Sequence, residues 1–190
     1  MTRYLLAGAI WGPAVFVMAW VVGGLLAEGY SPVEDQISRL AGVNAPTLAL
    51  MSAGFAAFGV GVGTAAWPLR RVIGPAAAMS LGVSAAGTLG VLVTPVGLSP
   101  DVDLLHAVFA LLTYGSLALA GPLAALALSR RHPVWAVASL AVGVVTFLAL
   151  SYDSTTPGLF QRIGLTTADA WLIAVGIAAL TGWLGSDESR

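Results

Sequence analysis

Long apolar stretches separated by short polar segments dominate this sequence of 190 residues. A helix needs about 20 apolar residues to cross the hydrocarbon core of a bilayer. Each polar segment holds charged residues, proline or both, which is where a membrane-spanning helix has to end. The pattern predicts an all-α polytopic transmembrane bundle, a single membrane domain over residues 1–190, with spans at Tyr4–Ala27, Pro46–Trp67, Val72–Val93, Val102–Leu128, Val134–Leu150 and Thr166–Leu184.

The composition excludes several other classes of protein. Hydrophobic residues make up 58% of the chain and charged residues only 9%, whereas soluble domains carry about 25% charged residues. The net charge is −1 and the basic residues are scattered, so we expect no nucleic-acid partner. The chain has no cysteine, which excludes disulfides and thiolate metal sites.

The arginines predict how the spans are oriented. Cytoplasmic loops retain positive charge in multi-pass proteins. An orientation with both termini in the cytoplasm places six of the eight arginines inside and leaves only Arg39 and Arg162 outside. We therefore predict a multi-pass protein of the cell membrane (inner or plasma membrane) with cytoplasmic N and C termini.

In that orientation most ionisable residues gather at the outer side. The acidic residues on or near it are Glu28, Glu34, Asp35, Asp101, Asp103, Asp153 and Asp169, and His106 lies one turn into the fourth span from the same side. The cytoplasmic side has little besides arginine. This asymmetry predicts a polar pocket that faces away from the cytoplasm.

The first outer loop predicts a short amphipathic helix lying in the membrane interface. Ser31-Pro32-Val33-Glu34 has the pattern of a capping box with proline at the first helical position. Val33, Ile37 and Leu40 follow at helical spacing, and Gly42 provides a stop. On the other side of this helix Asp35 and Arg39 are one turn apart, so we expect them to pair.

Two later segments contribute further candidates. Asp103 and His106 are three residues apart and share a face of the fourth helix. Arg162 and Asp169 are seven apart and share a face if the sixth helix already begins at Pro157. Because an ionised group inside the hydrocarbon is costly, we expect Asp169 to face protein or water and to pair with Arg162, with His106 as the second candidate.

The leading hypothesis is a pocket that binds a lipid headgroup or another small anionic ligand. Arg39 and Arg162 would hold the anion, because guanidinium matches phosphate geometry. One outer histidine falls short of the roughly three ligands of a zinc site, so we expect neither a metal nor a cofactor. The candidate ligand-binding residues are Asp35, Ser38, Arg39, Asp103, His106, Asp153, Arg162 and Asp169.

Other functions remain open at this stage. A membrane-embedded lipid hydrolase would use His106 with Asp103 and a hydroxyl such as that of Ser38, although no G-x-S-x-G motif is present. A transporter of lipids or small molecules and a structural subunit of a membrane complex are further alternatives. Two glycine pairs four residues apart, Gly8 with Gly12 and Gly59 with Gly63, favour tight packing within the bundle over a homo-oligomer or membrane-protein interface.

Three segments carry a resemblance to a known family. GYSPVEDQISRLAG, DLLHAVFA and GLFQRIGLTTADAW resemble the six-span bacterial and archaeal membrane proteins grouped as domain of unknown function 998. The resemblance covers nearly the whole chain and implies the fold and topology. The matching positions are Gly29, Tyr30, Asp35, Ser38, Leu40, His106, Gly158, Arg162 and Trp171. A more distant likeness to seven-span lipid hydrolases lacks their metal-binding histidines.

Overall fold

A computed structural model describes residues 2–151 and 155–184 and is all-helical over them. The helices are α1 (Thr2–Leu26), a 3₁₀ helix (Ile37–Ala41), α2 (Leu48–Leu69), α3 (Pro75–Val93), α4 (Pro100–Leu128), α5 (Pro133–Ser151) and α6 (Pro157–Leu180). All six α-helices are long and apolar enough to cross a membrane. This confirms the predicted transmembrane bundle.

The six helices form a closed ring in chain order. Each packs against its neighbours in sequence, and α1 closes the ring by packing against α6. Because the number of helices is even, the start of α1 and the end of α6 lie at the same end of the bundle, which we call the terminus end. At the opposite end, the loop end, lie residues 27–47 and 94–99, and the 3₁₀ helix packs there against α1, α2 and α6.

Glycines allow the closest helix contacts. A Cβ on Gly8 of α1 would lie 2.2 Å from the carbonyl oxygen of Gly61 on α2, and one on Gly121 of α4 would lie 2.4 Å from that of Ser139 on α5. Gly59 packs against Leu89 of α3, where a Cβ would come within 2.6 Å of the leucine side chain. These glycines serve packing within the bundle, as predicted.

The sixth helix begins earlier than the predicted span. It begins at Pro157 rather than Thr166 and ends at Leu180 rather than Leu184. The predicted span covered only the most apolar part of this helix, and Gln161 and Arg162, which lie before that span, are buried helical residues. A proline in the first turn favours a helix start at this position.

The helix in the first loop is shorter and tighter than predicted. Residues 31–35 form a turn in which the Ser31 hydroxyl accepts from the amide of Glu34, while the Asp35 carboxylate accepts from the amide of Ser31. Asp35 thus takes the role predicted for Glu34 in the capping box. Ile37 and Leu40 are buried, as expected of an amphipathic helix, but Val33 is exposed.

Candidate functional site

Residues 30–42, which we call the roof, cover the loop end of the bundle. Tyr30 donates from its hydroxyl to the carbonyl oxygens of Asp35 and Gln36, at 3.3 and 3.2 Å. The amide of Ile37 donates to the side-chain oxygen of Gln161, 124 residues later, at 2.7 Å. The roof is therefore folded on itself and also tied to α6.

Arg162 is the main anchor of the roof. Its side chain is only 8% exposed, and Nη1 donates to the carbonyl oxygens of Pro32, Asp35 and Gly158 at 2.8, 3.0 and 2.9 Å. Nη2 contacts the Tyr30 hydroxyl, and the guanidinium carbon lies 5.2 Å from the centre of the Trp20 ring. Carbonyl dipoles compensate for burying this charge.

Gly158 lets the roof lie directly on α6. A Cβ at this position would come within 2.3 Å of the Asp35 carbonyl oxygen and 2.8 Å of that of Pro32. The next residue, Leu159, donates its amide to the carbonyl of Val33 at 2.9 Å. The first turn of α6 therefore provides backbone donors as well as the Arg162 side chain.

Asp35 and Arg39 form the predicted ion pair on the outer surface of the roof. The Arg39 side chain is 62% exposed, so most of its N–H groups remain available. The amide of Ser31, which donates to the Asp35 carboxylate at 2.8 Å, is the main reason why the pKa of Asp35 is lowered from its ordinary 3.8. Burial raises the pKa of Tyr30 above its ordinary 10.0, although the adjacent Arg162 opposes this.

A groove of about 680 Å³ lies on the outer side of the roof. Its walls include residues 27–28, much of the roof, residues 43–47, and Val96 and Gly97 from the loop between α3 and α4. The amide of Val43 donates to the carbonyl of Val96 at 3.0 Å and joins the walls. The charged and polar side chains in the groove include Glu28, Glu34, Asp35, Ser38 and Arg39.

A second, inner cavity of about 30 Å³ lies beneath the roof. It is mostly apolar, with His106, Tyr114 and Ser38 among its polar lining. A volume of this size accommodates one or two water molecules. Ser38 lines both the inner cavity and the outer groove, so the roof at Ser38 separates the two spaces.

His106 has a defined tautomer. Its Nδ1 lies 2.6 Å from the carbonyl oxygen of Thr94, and since a carbonyl only accepts, Nδ1 carries the proton. In the neutral ring, Nε2 is then the acceptor. Asp103 accepts instead from the amide of Gly97 at 2.8 Å. Although Asp103 and His106 share a helix face, the structure has no Asp–His dyad between them.

Asp169 does not pair with Arg162, so this prediction was wrong. The guanidinium reaches up to the roof, whereas Asp169 lies about two helical turns, or roughly 10 Å, further into the bundle. Asp169 is 1% exposed, which confirms that it faces protein rather than lipid. Neither carboxylate oxygen has a hydrogen-bond partner in the described part of the chain.

Two residues of this network, Gln161 and Tyr114, were not predicted from the sequence. Gln161 donates from Nε2 to the Tyr114 hydroxyl at 2.6 Å while its oxygen accepts from Ile37. A polar Gln161 directly before Arg162 could have indicated from the sequence that this segment is buried and hydrogen-bonded.

The candidate residue Asp153 lies outside the described residues. Within residues 2–151 and 155–184, no three His, Asp or Glu side chains come together to hold a metal ion.

The structure thus brings Asp35, Ser38 and Arg39 into one groove, which His106, Arg162 and Asp169 do not line. No curated protein and no solved structure matches the chain. A family model described as "Protein of unknown function (DUF998)" matches residues 10–178, nearly the whole chain. The chain is a member of this DUF998 family, a six-helix membrane protein.

Proposed function

We propose that this membrane protein binds a lipid headgroup in the groove above its roof. The observation that carries the proposal is the presence of both signs of charge in a groove of about 680 Å³. That volume falls within the range of small-molecule sites, about 300–1,000 Å³. The groove is built from residues that lie between the spans, at the level where headgroups meet water.

The charges favour a zwitterionic headgroup. Arg39 retains free N–H donors beside its bond to Asp35 and matches a phosphate. Glu28 and Glu34 line the same groove and suit an ammonium group. Arg162 does not contribute, because it lines a different depression with Trp20 and Pro32 and its Nη1 donors are used by the roof and by α6. The hypothesis that Arg39 and Arg162 together bind the anion is therefore replaced by a groove in which Arg39 binds the phosphate and the glutamates bind the ammonium group.

The hydrolase alternative has less support. The Asp103 carboxylate is bonded to Gly97 rather than to His106, so nothing acidic orients the imidazole. Ser38 does line the inner cavity with His106, but the arrangement lacks the third member of a triad. Headgroup binding without turnover needs neither an acidic partner for His106 nor a catalytic triad, and it is therefore the simpler explanation of this geometry.

Native mass spectrometry of the purified protein tests headgroup binding. Phosphatidylethanolamine and phosphatidylglycerol with identical acyl chains are titrated separately, and soluble glycerophosphoethanolamine is added as competitor to distinguish a lipid from a free headgroup. We expect about a fivefold loss of phosphatidylethanolamine affinity in Arg39→Gln, as about 1 kcal/mol per charge contact implies. Unchanged phosphatidylethanolamine affinity in this variant contradicts the proposal.

The carboxylates are tested with a matched control. Glu28→Gln combined with Glu34→Gln removes two charges from the groove and should shift the preference towards phosphatidylglycerol. Asp101→Asn removes an exposed carboxylate at the same end, outside the groove, and should leave the preference unchanged. If Asp101→Asn has the same effect as the double variant, the general surface charge and not the groove determines lipid choice.

We infer further that the groove faces away from the cytoplasm, because five of the arginines in the described residues, Arg3, Arg70, Arg71, Arg130 and Arg131, lie at the terminus end. The absence of native cysteine makes single-cysteine labelling straightforward. An impermeant maleimide added to whole cells should label Asn44→Cys at the loop end but not Ser129→Cys at the terminus end. The opposite result reverses the orientation.

A further inference from the structure

A lipid-facing groove between α2 and α3 lies at the terminus end, away from the proposed headgroup site. It has a volume of about 640 Å³. Gly63 and Ala66 of α2 and Ala78, Gly82 and Ala86 of α3 line it with small side chains. Trp67 and Arg70 line its end nearest the termini.

The groove has the length of one lipid chain within a single leaflet. Its lining on α3 runs from Pro75 to Ala86, which spans about 16 Å at 1.5 Å per residue. Half of a hydrocarbon core about 30 Å thick is about 15 Å. An acyl chain whose headgroup lies at the terminus end therefore fits along the groove from its charged end to the middle of the membrane.

Arg70 is placed to receive an anionic group at that end. Its guanidinium carbon stacks 3.7 Å from the centre of the Trp67 ring, which fixes the orientation of the planar group. Its Nε is buried without a hydrogen-bond partner, and its only ring or ion contact in the described residues is this stacking. The guanidinium is therefore oriented, and no described residue accepts a hydrogen bond from it.

The arginines at the terminus end favour an anionic ligand. Besides Arg70, the described residues there include Arg3, Arg71, Arg130 and Arg131 and no carboxylate. Fields from several arginines attract phosphate, and basic pockets between membrane helices are sites for anionic lipids. A second copy packed on this face about an axis normal to the membrane would instead bring two Arg70 groups to the same level, where they repel.

We propose that the α2–α3 groove binds an anionic phospholipid, with the phosphate on Arg70 and one acyl chain along Gly63 and Gly82. This site is independent of the headgroup groove at the loop end. The α2–α3 groove selects a lipid with a net negative charge, whereas the loop-end groove selects a zwitterionic headgroup. The two sites therefore bind different lipids, one from each leaflet.

Two variants with matched controls test the site. A Cβ on Gly82 meets no protein atom within 4 Å, so Gly82→Leu fills the groove without disturbing the fold. A Cβ on Gly115 of α4 also meets nothing within 4 Å, and Gly115→Leu adds the same side chain outside the groove. Arg70→Gln removes the phosphate contact, and Arg130→Gln removes an exposed charge from the same end.

The readout is the number and affinity of phosphatidylglycerol molecules retained in native mass spectrometry, with phosphatidylcholine of the same chains as the neutral probe. We expect about a fivefold weaker phosphatidylglycerol affinity in Arg70→Gln, a comparable loss in Gly82→Leu, and wild-type binding in Gly115→Leu and Arg130→Gln. Arg39→Gln should not change this binding, which separates the site from the headgroup groove.

Three results overturn the proposal. Unchanged phosphatidylglycerol affinity in both groove variants shows that no lipid binds there. An equal loss in groove and control variants shows attraction to general charge only. Conversion of a dimer to a monomer by Gly82→Leu, with lipid binding unchanged, assigns the groove to a second copy of the chain.

Discussion

Nη1 of Arg162 on the sixth helix lies 2.8 Å from the carbonyl oxygen of Pro32, 130 residues earlier in the chain. This bond joins the first loop to the last helix and closes the loop end of the ring. The same guanidinium also bonds the carbonyl of Asp35. A buried cation in this protein therefore serves to hold backbone in place.

Arg162→Ala should destabilise the protein strongly. The variant leaves the carbonyls of Pro32 and Asp35 without their buried donor, and we expect the free energy of unfolding to fall by about 3–5 kcal/mol. Detergent-solubilised protein unfolded with increasing SDS provides the measurement. Arg39→Ala removes an exposed ion pair and should cost about 1 kcal/mol or less. Similar losses in the two variants contradict the anchoring role.

Gly158→Ala should displace the roof from α6. The added Cβ would lie 2.3 Å from the Asp35 carbonyl oxygen, so the backbone of the roof has to move, at a cost of about 1–3 kcal/mol. Faster hydrogen exchange at the Ile37 amide reports the displacement. Gly115→Ala, which meets nothing within 4 Å, should instead be neutral or stabilising by up to about 1 kcal/mol. Unchanged exchange at Ile37 would contradict the close contact.

Replacing Asp169 should not lower the stability of the protein, because no hydrogen bond to a described residue is lost. Both of its oxygens are buried and have no partner among the described residues, so Asp169→Asn should retain wild-type stability, and Asp169→Leu should raise the free energy of unfolding by about 1–3 kcal/mol. The thermal midpoint in detergent measures both. His106→Ala, which loses the 2.6 Å bond to Thr94, provides the contrast and should lower the midpoint. A large loss in Asp169→Asn would show that the carboxyl has a partner.

Acid should weaken the turn at the start of the roof. Because the pKa of Asp35 is lower in the folded protein than its ordinary 3.8, its contribution to stability is complete above that value and is lost as the pH falls through the lowered pKa. The difference in thermal midpoint between wild type and Asp35→Asn should therefore shrink below about pH 4. The corresponding difference for Asp101→Asn serves as the control. A constant difference down to pH 2 contradicts this coupling.

The apolar pattern by itself determined the six-helix membrane architecture. A bilayer leaves few alternatives to a helix for a long apolar segment, because every backbone polar group has to be bonded within the segment. Local spacing also predicted the Asp35–Arg39 pair, because residues four apart come close together in a compact turn, although Asp35 lies just before the helix, which begins at Ile37.

Only the tertiary structure decided which partners the buried polar groups have. Arg162 and Asp169 share a helix face, yet the long arginine side chain reaches up to the carbonyls of a roof that is distant in sequence. His106 likewise bonds the carbonyl of Thr94 rather than the Asp103 carboxylate three residues away. Spacing along a helix specifies which side chains share a face. It does not show which backbone carbonyls of the loops come near that face when the chain folds, and these carbonyls compete with the carboxylates for the same side-chain donors.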